Sequence, residues 1–417
     1  MRFIAKQYEP PIFAPNECPS AKLGCDSTRF PEGSRRALVR YNLQMAQKKV
    51  LITGGAGFVG SHLADELIQS GFSVRVLDNL ASQVHGTRAR RPSYLAREVE
   101  FVRGDVRDPD AMTRALENID SVFHFAAMVG VGQSMYEIAN YTSSNSLGTA
   151  VLLEALANQP IERLIVASSM SIYGEGLYRT RDGSSVERRE RTLAQLRAHD
   201  WEVRGADGEP LIPVPTPESK CPALPSVYAI SKYHQERLCM TVGRAYGIDT
   251  VALRFFNIFG TRQALSNPYT GVLAIFASRF LNNNPPLINE DGKQRRDFVH
   301  VQDVAQACRL ALQVQEVAGE VFNVGSGRNY SVLEIADEMA RVLGKENLEP
   351  EIVGKCRVGD IRNCFADISR ARKVLGYEPR VSLEEGLTEL AEWLEGQIAV
   401  DRVSDAVREL NLRGLAV

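Results

Sequence analysis

From Lys49 onward, short apolar runs closed by glycine or polar residues alternate with segments of helical spacing. KKVLITGG is an apolar run ended by glycines, and GFVGSHLADELIQSG then repeats apolar side chains at Val59, Leu63 and Leu67 before stopping at Gly71. SVRVLD, EVEFVRGD, DSVFHFAA and IERLIVASS repeat the strand signal, with AMTRALENI and LGTAVLLEALANQ as helices between them. Strands alternating with helices predict an α/β fold, a doubly wound parallel sheet. Two stretches fall outside this rhythm. Residues 1–48 are Pro-rich, as in EPPIFAPNECPSAKLG, show neither period, and read as an N-terminal extension, partly disordered. Between Gly174 and Ser226 the chain turns polar and charged, with LIPVPTPESKCPALP near its end, and reads as an insertion over 175–225. SVYAISKYHQERLCMTVGRAYG restores a helix and IDTVALRFFN a strand, which closes a first domain at 49–257. Residues 258–396 hold shorter mixed elements, expected as a smaller α/β lobe whose strands can interleave with the first sheet. Residues 397–417 form a helical tail.

Composition narrows the class. Of 417 residues 44% are hydrophobic and 24% charged, enough for a large core. Lys and Arg number 49 against 51 Asp and Glu, so the net charge of −2 gives no global attraction to nucleic acid or an acidic membrane. The seven cysteines are scattered, odd in number and never spaced as CxxC, which argues against a disulfide framework or a metal site and for a reducing compartment. No apolar run reaches the roughly 18 residues of a membrane span, and the N-terminus lacks a signal-peptide layout, so the cytoplasm is expected.

Chemistry enters with Thr53-Gly54-Gly55-Ala56-Gly57-Phe58-Val59-Gly60, placed after one strand and opening a helix. Glycines there permit a tight turn and close approach of backbone to a pyrophosphate, and the helix N-terminus offers free N–H groups to the anion. Gly54, Gly57, Phe58, Val59 and Gly60 are therefore candidate dinucleotide contacts. The second strand ends in Asp78, eighteen positions past Gly60, where a carboxylate binds ribose hydroxyls and repels a 2′-phosphate, favouring NAD over NADP. Ser168-Ser169-Met170-Ser171-Ile172-Tyr173-Gly174 ends a further strand, and Tyr228-Ala229-Ile230-Ser231-Lys232 lies on a helix. Tyr228 and Lys232, four apart, share a helical face. A phenol titrates near pH 10, so its use as a base needs the positive charge of Lys232 and an oxidised nicotinamide, with Ser169 hydrogen-bonding the substrate oxygen.

In this order the motifs resemble the extended short-chain dehydrogenase/reductase family, in its nucleotide-sugar epimerase and dehydratase branch, from about Lys49 to about Gly396. The resemblance implies a Rossmann-type sheet with a C-terminal substrate lobe. It adds Asn79, Asp105, Val106, Phe125, Ala126, Ala127, Asn145, Ser168 and Phe255 to the contacts of NAD. On the substrate side it implies Ser169, Ser171 and Asn257, with Arg296, Arg357 and Asp360 around the diphosphate and the nucleoside ribose. An arginine fork suits a diphosphate because it donates two hydrogen bonds at once. Cys364 stands where a large side chain would narrow the pocket at the sugar's C2 substituent, so a cysteine implies room for an N-acetyl group.

In the same family the two residues after the catalytic serine separate the reactions. Dehydratases carry Asp-Glu and decarboxylases a Glu, whereas this chain has Met170 and Ser171. The reading that follows is epimerisation of an NDP-sugar at C4 through a 4-keto intermediate, with Tyr228 as base and acid. An NDP-sugar reductase, dehydrogenase or dehydratase and, from another class, a non-catalytic NAD-binding regulator are the alternatives. His124 is expected to pack beside the cofactor rather than act as a base, and the insertion to cover or rim the sugar pocket. Family resemblance also implies a homodimer through helices near 138–157 and 226–246.

Overall fold

The computed structural model describes residues 48–416 except Arg88, Arg188, Arg189 and Val358. Apart from Lys48, the expected N-terminal extension lies outside the described residues. Seven strands build one parallel sheet: β1 (Lys49–Thr53), β2 (Ser73–Asp78), β3 (Glu100–Arg103), β4 (Ser121–His124), β5 (Arg163–Ser169), β6 (Asp249–Phe255) and β7 (Val321–Val324). Their spatial order is 7-6-5-4-1-2-3, and every neighbouring pair is parallel. This is a Rossmann-like sheet, whose order reverses between β1 and β4.

Strands covered on both faces explain the unbroken apolar runs in the sequence. Successive residues of β1 point to opposite sides. Val50 and Ile52 join a core with Leu63 and Leu67 of α1 (Phe58–Gln69) and with Ala307 and Cys308. Leu51 faces Met112 of α2 (Pro109–Leu116), Leu152 and Leu156 of α3 (Gly148–Asn158), and Cys239 of α4 (Val227–Tyr246). Helix starts follow local chemistry. Asp108 caps α2 with Pro109 in its first turn, and the Ser226 hydroxyl accepts from the Ala229 N–H at the head of α4. The helix expected near 138–157 is broken. Ile138–Tyr141 leads into a π-helical stretch, Thr142–Leu147, before α3 begins.

A second core holds the smaller lobe together. Phe276 and Phe280 of α5 (Val272–Leu281) pack on Ile335 and Met339 of α7 (Val332–Val342) and on Leu387 and Leu390 of α8 (Leu383–Leu394). Between them the chain returns to the main sheet. Helix α6 (Val301–Gln313) packs on α1, and β7 adds the outermost strand next to β6, so 258–396 is interleaved rather than contiguous. The tail contains α9 (Val403–Leu412). No described helix is long and apolar enough to cross a membrane.

The insertion folds on itself as three short antiparallel strands, Leu177–Arg179, Ser185–Val186 and Ile212–Val214, with a helical turn at Leu193–Arg197. It docks on the smaller lobe through buried charge. The Glu175 carboxylate accepts from the N–H groups of Arg362 (2.7 Å) and Asn363 (3.1 Å), and Arg191 pairs with Glu290 at 2.7 Å. Leu196, Trp201 and Cys356 form a small apolar cluster beside these pairs.

One buried ion pair fixes α4 against the sheet. The Arg254 guanidinium on β6 donates to both Glu236 oxygens at 2.7 and 3.0 Å, and Glu236 also accepts from the Ser168 hydroxyl at 2.6 Å. Arg254→Leu leaves Glu236 charged and unpaired in the interior. It is expected to lower the unfolding free energy by about 3–5 kcal/mol in urea titration. A loss below about 1 kcal/mol would show that the pair does not hold the helix.

Candidate active site

A cavity of about 800 Å³ opens at the carboxyl ends of β1 and β4, where the strand order reverses. Parallel α/β sheets bind ligands at such a point because the connections diverge to opposite faces. On one side the chain leaves β1 through Gly54, whose φ is +70° and whose N–H donates to the Leu77 carbonyl at 2.8 Å. A Cβ at Gly54 would lie 2.8 Å from the Ala126 nitrogen, and one at Gly60 would lie 2.5 Å from the Gly55 Cα. Only glycine permits this packing. No side chain caps the start of α1, so its first N–H groups, at the cavity wall lined by Gly57, Phe58 and Val59, remain free for an anion.

The other expected dinucleotide contacts follow around the same wall. Asp78 ends β2; its carboxylate accepts from the Ala56 N–H (3.0 Å) and the Leu80 N–H (2.8 Å) and keeps lone pairs for ribose hydroxyls. The Asn79 amide donates to Asp105 at 3.0 Å, and Arg107 holds the Asp105 carboxyl far below the usual range. Val106, Ala126, Ala127 and Ser168 line the cavity, as do the rings of Phe125 and Phe255, which meet edge to face at 5.8 Å. The free helix N-terminus, the glycine cradle and the carboxylate together fit a dinucleotide with a free ribose 2′-hydroxyl. Asn145 departs from expectation. The π-helical stretch turns it wholly inside, where its amide bonds the Met128 backbone at 2.7 and 3.1 Å and the Ser231 hydroxyl at 2.9 Å. It does not line the cavity and instead ties the loop after β4 to α4.

That tie bears on Tyr228 and Lys232. The Tyr228 N–H, in the first turn of α4, donates to the Ser134 hydroxyl at 3.0 Å, and Lys232 lies one turn later. Both side chains are buried and line the cavity with Ser169 and Ser171, whose hydroxyls are 2.8 Å apart. Burial pushes the Tyr228 phenol above its ordinary value, and the hydrogen bond it shares with Ser169 draws it back. Burial pulls the Lys232 ammonium down to about 8.

Lys232 donates to the Gln235 Oε1 at 2.8 Å, and the Gln235 amide donates to the Thr149 hydroxyl at 3.0 Å. Thr149 gives its own proton to the Asn145 carbonyl at 2.6 Å. It must therefore accept from His124 Nε2 (2.9 Å), which leaves Nδ1 to accept from Thr53 at 2.8 Å. Burial holds this imidazole neutral, with its pKa pushed down to about 3, so it is no base at neutral pH. Gln235 was not singled out in the sequence; its place three residues past Lys232 is the only local signal.

Across the cavity stand the residues expected to hold substrate. Asn257 presents a buried Oδ1 with no hydrogen-bond partner among the described residues, which marks an acceptor left for a ligand donor. The Arg296 guanidinium donates to the carbonyls of Arg295 and Arg362 at 2.9 Å each and to that of Ile361. Arg357 pairs with Asp360 at 2.9 Å, and all three side chains line the cavity.

Two expectations need correction. Cys364 is buried, with its sulfur 3.9 Å from the Thr216 hydroxyl, and is not among the residues that line the cavity. The described residues of the insertion form neither cover nor rim, since none of them lines the cavity. Its charged groups are drawn instead to the partners behind the site. Arg191 reaches the Asp360 carbonyl at 3.2 Å as well as Glu290, so the segment buttresses the Arg357–Asp360 loop. Helix α9 was not expected at the site, yet Val403, Ala406 and Leu410 form part of its wall. Their i, i+3, i+7 spacing showed a helix with one apolar face but not where it docks. Among the described residues no cluster of His, Cys, Asp or Glu is placed to hold a metal.

Comparison with known proteins agrees with this geometry. The chain is 34% identical over 355 residues to a dTDP-L-rhamnose 4-epimerase of Burkholderia thailandensis, covering 84% of this chain and 96% of that protein. It is 29% identical over 351 residues to a UDP-N-acetyl-alpha-D-glucosaminuronate decarboxylase of Bacillus cytotoxicus, covering 83% and 98%. Among solved structures, the UDP-glucuronic acid 4-epimerase of Bacillus cereus in complex with UDP-glucuronic acid and NAD superimposes with a TM-score of 0.66 at 28% identity, over 83% of this chain and 99% of that one. The family profile itself matches residues 50–197 and 202–325, and the chain belongs to the NAD dependent epimerase/dehydratase family.

Proposed function

We propose that this protein epimerises a nucleotide-diphosphate sugar at C4, with NAD as a resident cofactor. The observation that carries the reading is one cavity lined at once by Tyr228, Ser169 and Lys232, by the glycine turn and Asp78, and by Arg296 and Arg357. NAD, held along Gly54–Gly60 with its adenosine ribose at Asp78, supplies reversible hydride exchange with C4. The chain's own residues do the rest. Arg296 and Arg357 bind the diphosphate, and Asn257 offers an acceptor beside them. Tyr228 takes the proton of the C4 hydroxyl, Ser169 hydrogen-bonds the same oxygen, and Tyr228 returns the proton after the keto sugar has turned over. A buried phenol is too rarely ionised at neutral pH to act alone, and a cation one helical turn away is the group that would favour its phenolate.

Epimerisation is favoured over the decarboxylation named for one relative because no carboxylic acid follows Ser169. Met170 is buried, and Ser171 spends its contacts on Ser169. Neither can exchange a proton with carbon C5 or C6. The smallest complete reaction is exchange at one carbon.

Tyr228→Phe is expected to lower kcat by at least about a hundredfold while NDP-sugar binding persists. The measurement is turnover of a panel of NDP-sugars, with product stereochemistry read by NMR. Wild-type turnover retained by the variant would refute the assigned base. A second expectation concerns Lys232 in the cofactor-free protein. Its folded pKa, about 8, lies below the ordinary 10.5, so the folded state sheds a proton that the unfolded chain keeps. The cost of burying the charge is thus complete below pH 8 and fades as pH rises toward 10.5. The stability of Lys232→Met relative to the parent is expected to fall across that window in denaturant titrations, and a pH-independent difference would contradict it.

A further inference from the structure

We propose that α9 is a substrate-binding element, a strap that closes the substrate half of the cavity with an apolar wall and keeps the keto sugar inside. The inference rests on the reading of the site as one for an NDP-sugar. The motifs that carry the family resemblance end near Gly396, ahead of α9. Accordingly, 83–84% of this chain suffices to cover 96–99% of the relatives described above.

Both ends of the strap are fastened. Before α9, the Asp401 carboxylate accepts from Arg279 at 3.0 Å and from the Asn284 amide at 2.9 Å, and the Val400 N–H donates to the Ser266 hydroxyl at 3.0 Å. The Arg279–Asp401 pair is nearly buried, with side chains 9% and 11% exposed. After α9, the Arg413 guanidinium lies 4.5 Å over the Tyr136 ring, and Ala416 forms an antiparallel bridge with Arg357. The far end therefore docks on an arginine assigned to the diphosphate.

Between these anchors Val403, Ala406, Val407, Leu410 and Asn411 line the cavity. Leu410 is 5% exposed, and its methyl carbons lie 3.5 and 3.6 Å from where a Cβ on Gly132 would stand. Gly132 is two residues before Ser134, the acceptor of the Tyr228 N–H. The strap thus spans from the loop that positions Tyr228 to the arginine that holds the phosphate. A hexose anchored at its diphosphate would meet mainly carbon on this side, the Asn411 amide being the one polar side chain that α9 adds to the lining. Such a wall excludes water and lets the ring turn without breaking polar contacts.

The test uses the full chain, a chain ending at Gly396 and Leu410→Asp, each carrying Tyr228→Phe so that binding is read without turnover. Calorimetry with UDP-glucose, dTDP-L-rhamnose and, separately, NAD is expected to show both altered chains binding the sugar nucleotide at least about tenfold more weakly, with NAD affinity within about twofold. In the catalytically active background they are expected to release keto sugar that a carbonyl reagent traps from solution. Equal weakening toward NAD would mean that the strap only supports the fold, and unchanged sugar-nucleotide binding would mean that it touches no substrate; either overturns the proposal. Failure of the full chain to bind either sugar nucleotide would instead overturn the reading of the site. Binding without C4 inversion would overturn the reaction alone.

Discussion

The His124 imidazole has no exposed surface and hydrogen-bonds Thr53 through one nitrogen and Thr149 through the other. From Thr149 the same line runs through Gln235 to Lys232. It joins the end of β1, where the glycine turn begins, to the helix that carries Tyr228, the proposed base. Buried polar groups must be satisfied, so each member fixes the orientation of the next. Burial also makes Lys232 readily deprotonated, which confines its usefulness to pH values at which it still holds its proton. The spacing between cradle and base is therefore set by the interior of the protein and not by surface loops.

The additions to the fold acquire roles from this frame. The insertion leaves the chain between Ser169 and Tyr228, and position alone suggested a cover. Its buried arginine and glutamate instead find their partners behind the substrate loop, where Arg191 and Glu175 meet Glu290, Arg362 and Asn363. Leaving such charges unpaired in the interior would be costly, which accounts for the segment docking there rather than over the open cavity. The strap α9 is tied down at its ends by Asp401 and Arg413, and between them Val403, Ala406 and Leu410 are buried.

The sequence made the sheet legible because strands buried on both faces write continuous apolar runs, and the glycine turn legible because backbone crowding admits no other residue. Tyr228, Lys232 and Ser169 could be located from spacing, and they do meet in one cavity. Asn145 and Cys364 were assigned by resemblance of motif, which gives a position along the chain but not a side-chain direction; a π-helical stretch turned the first inward, and the second faces Thr216. Gln235 was hidden because a polar residue on a largely polar helix carries no periodic signal. For α9 the period was visible and the docking partner was not, since nothing local encodes a contact with Gly132.

In the proposed reaction, chemistry is confined to one carbon of a substrate held in the cavity. The most direct measurement is the fate of deuterium placed at C4 of an NDP-sugar that the protein turns over. Full retention of the label at C4 of the inverted product is the predicted result. Loss of the label to solvent, or its appearance at another carbon, would contradict the account.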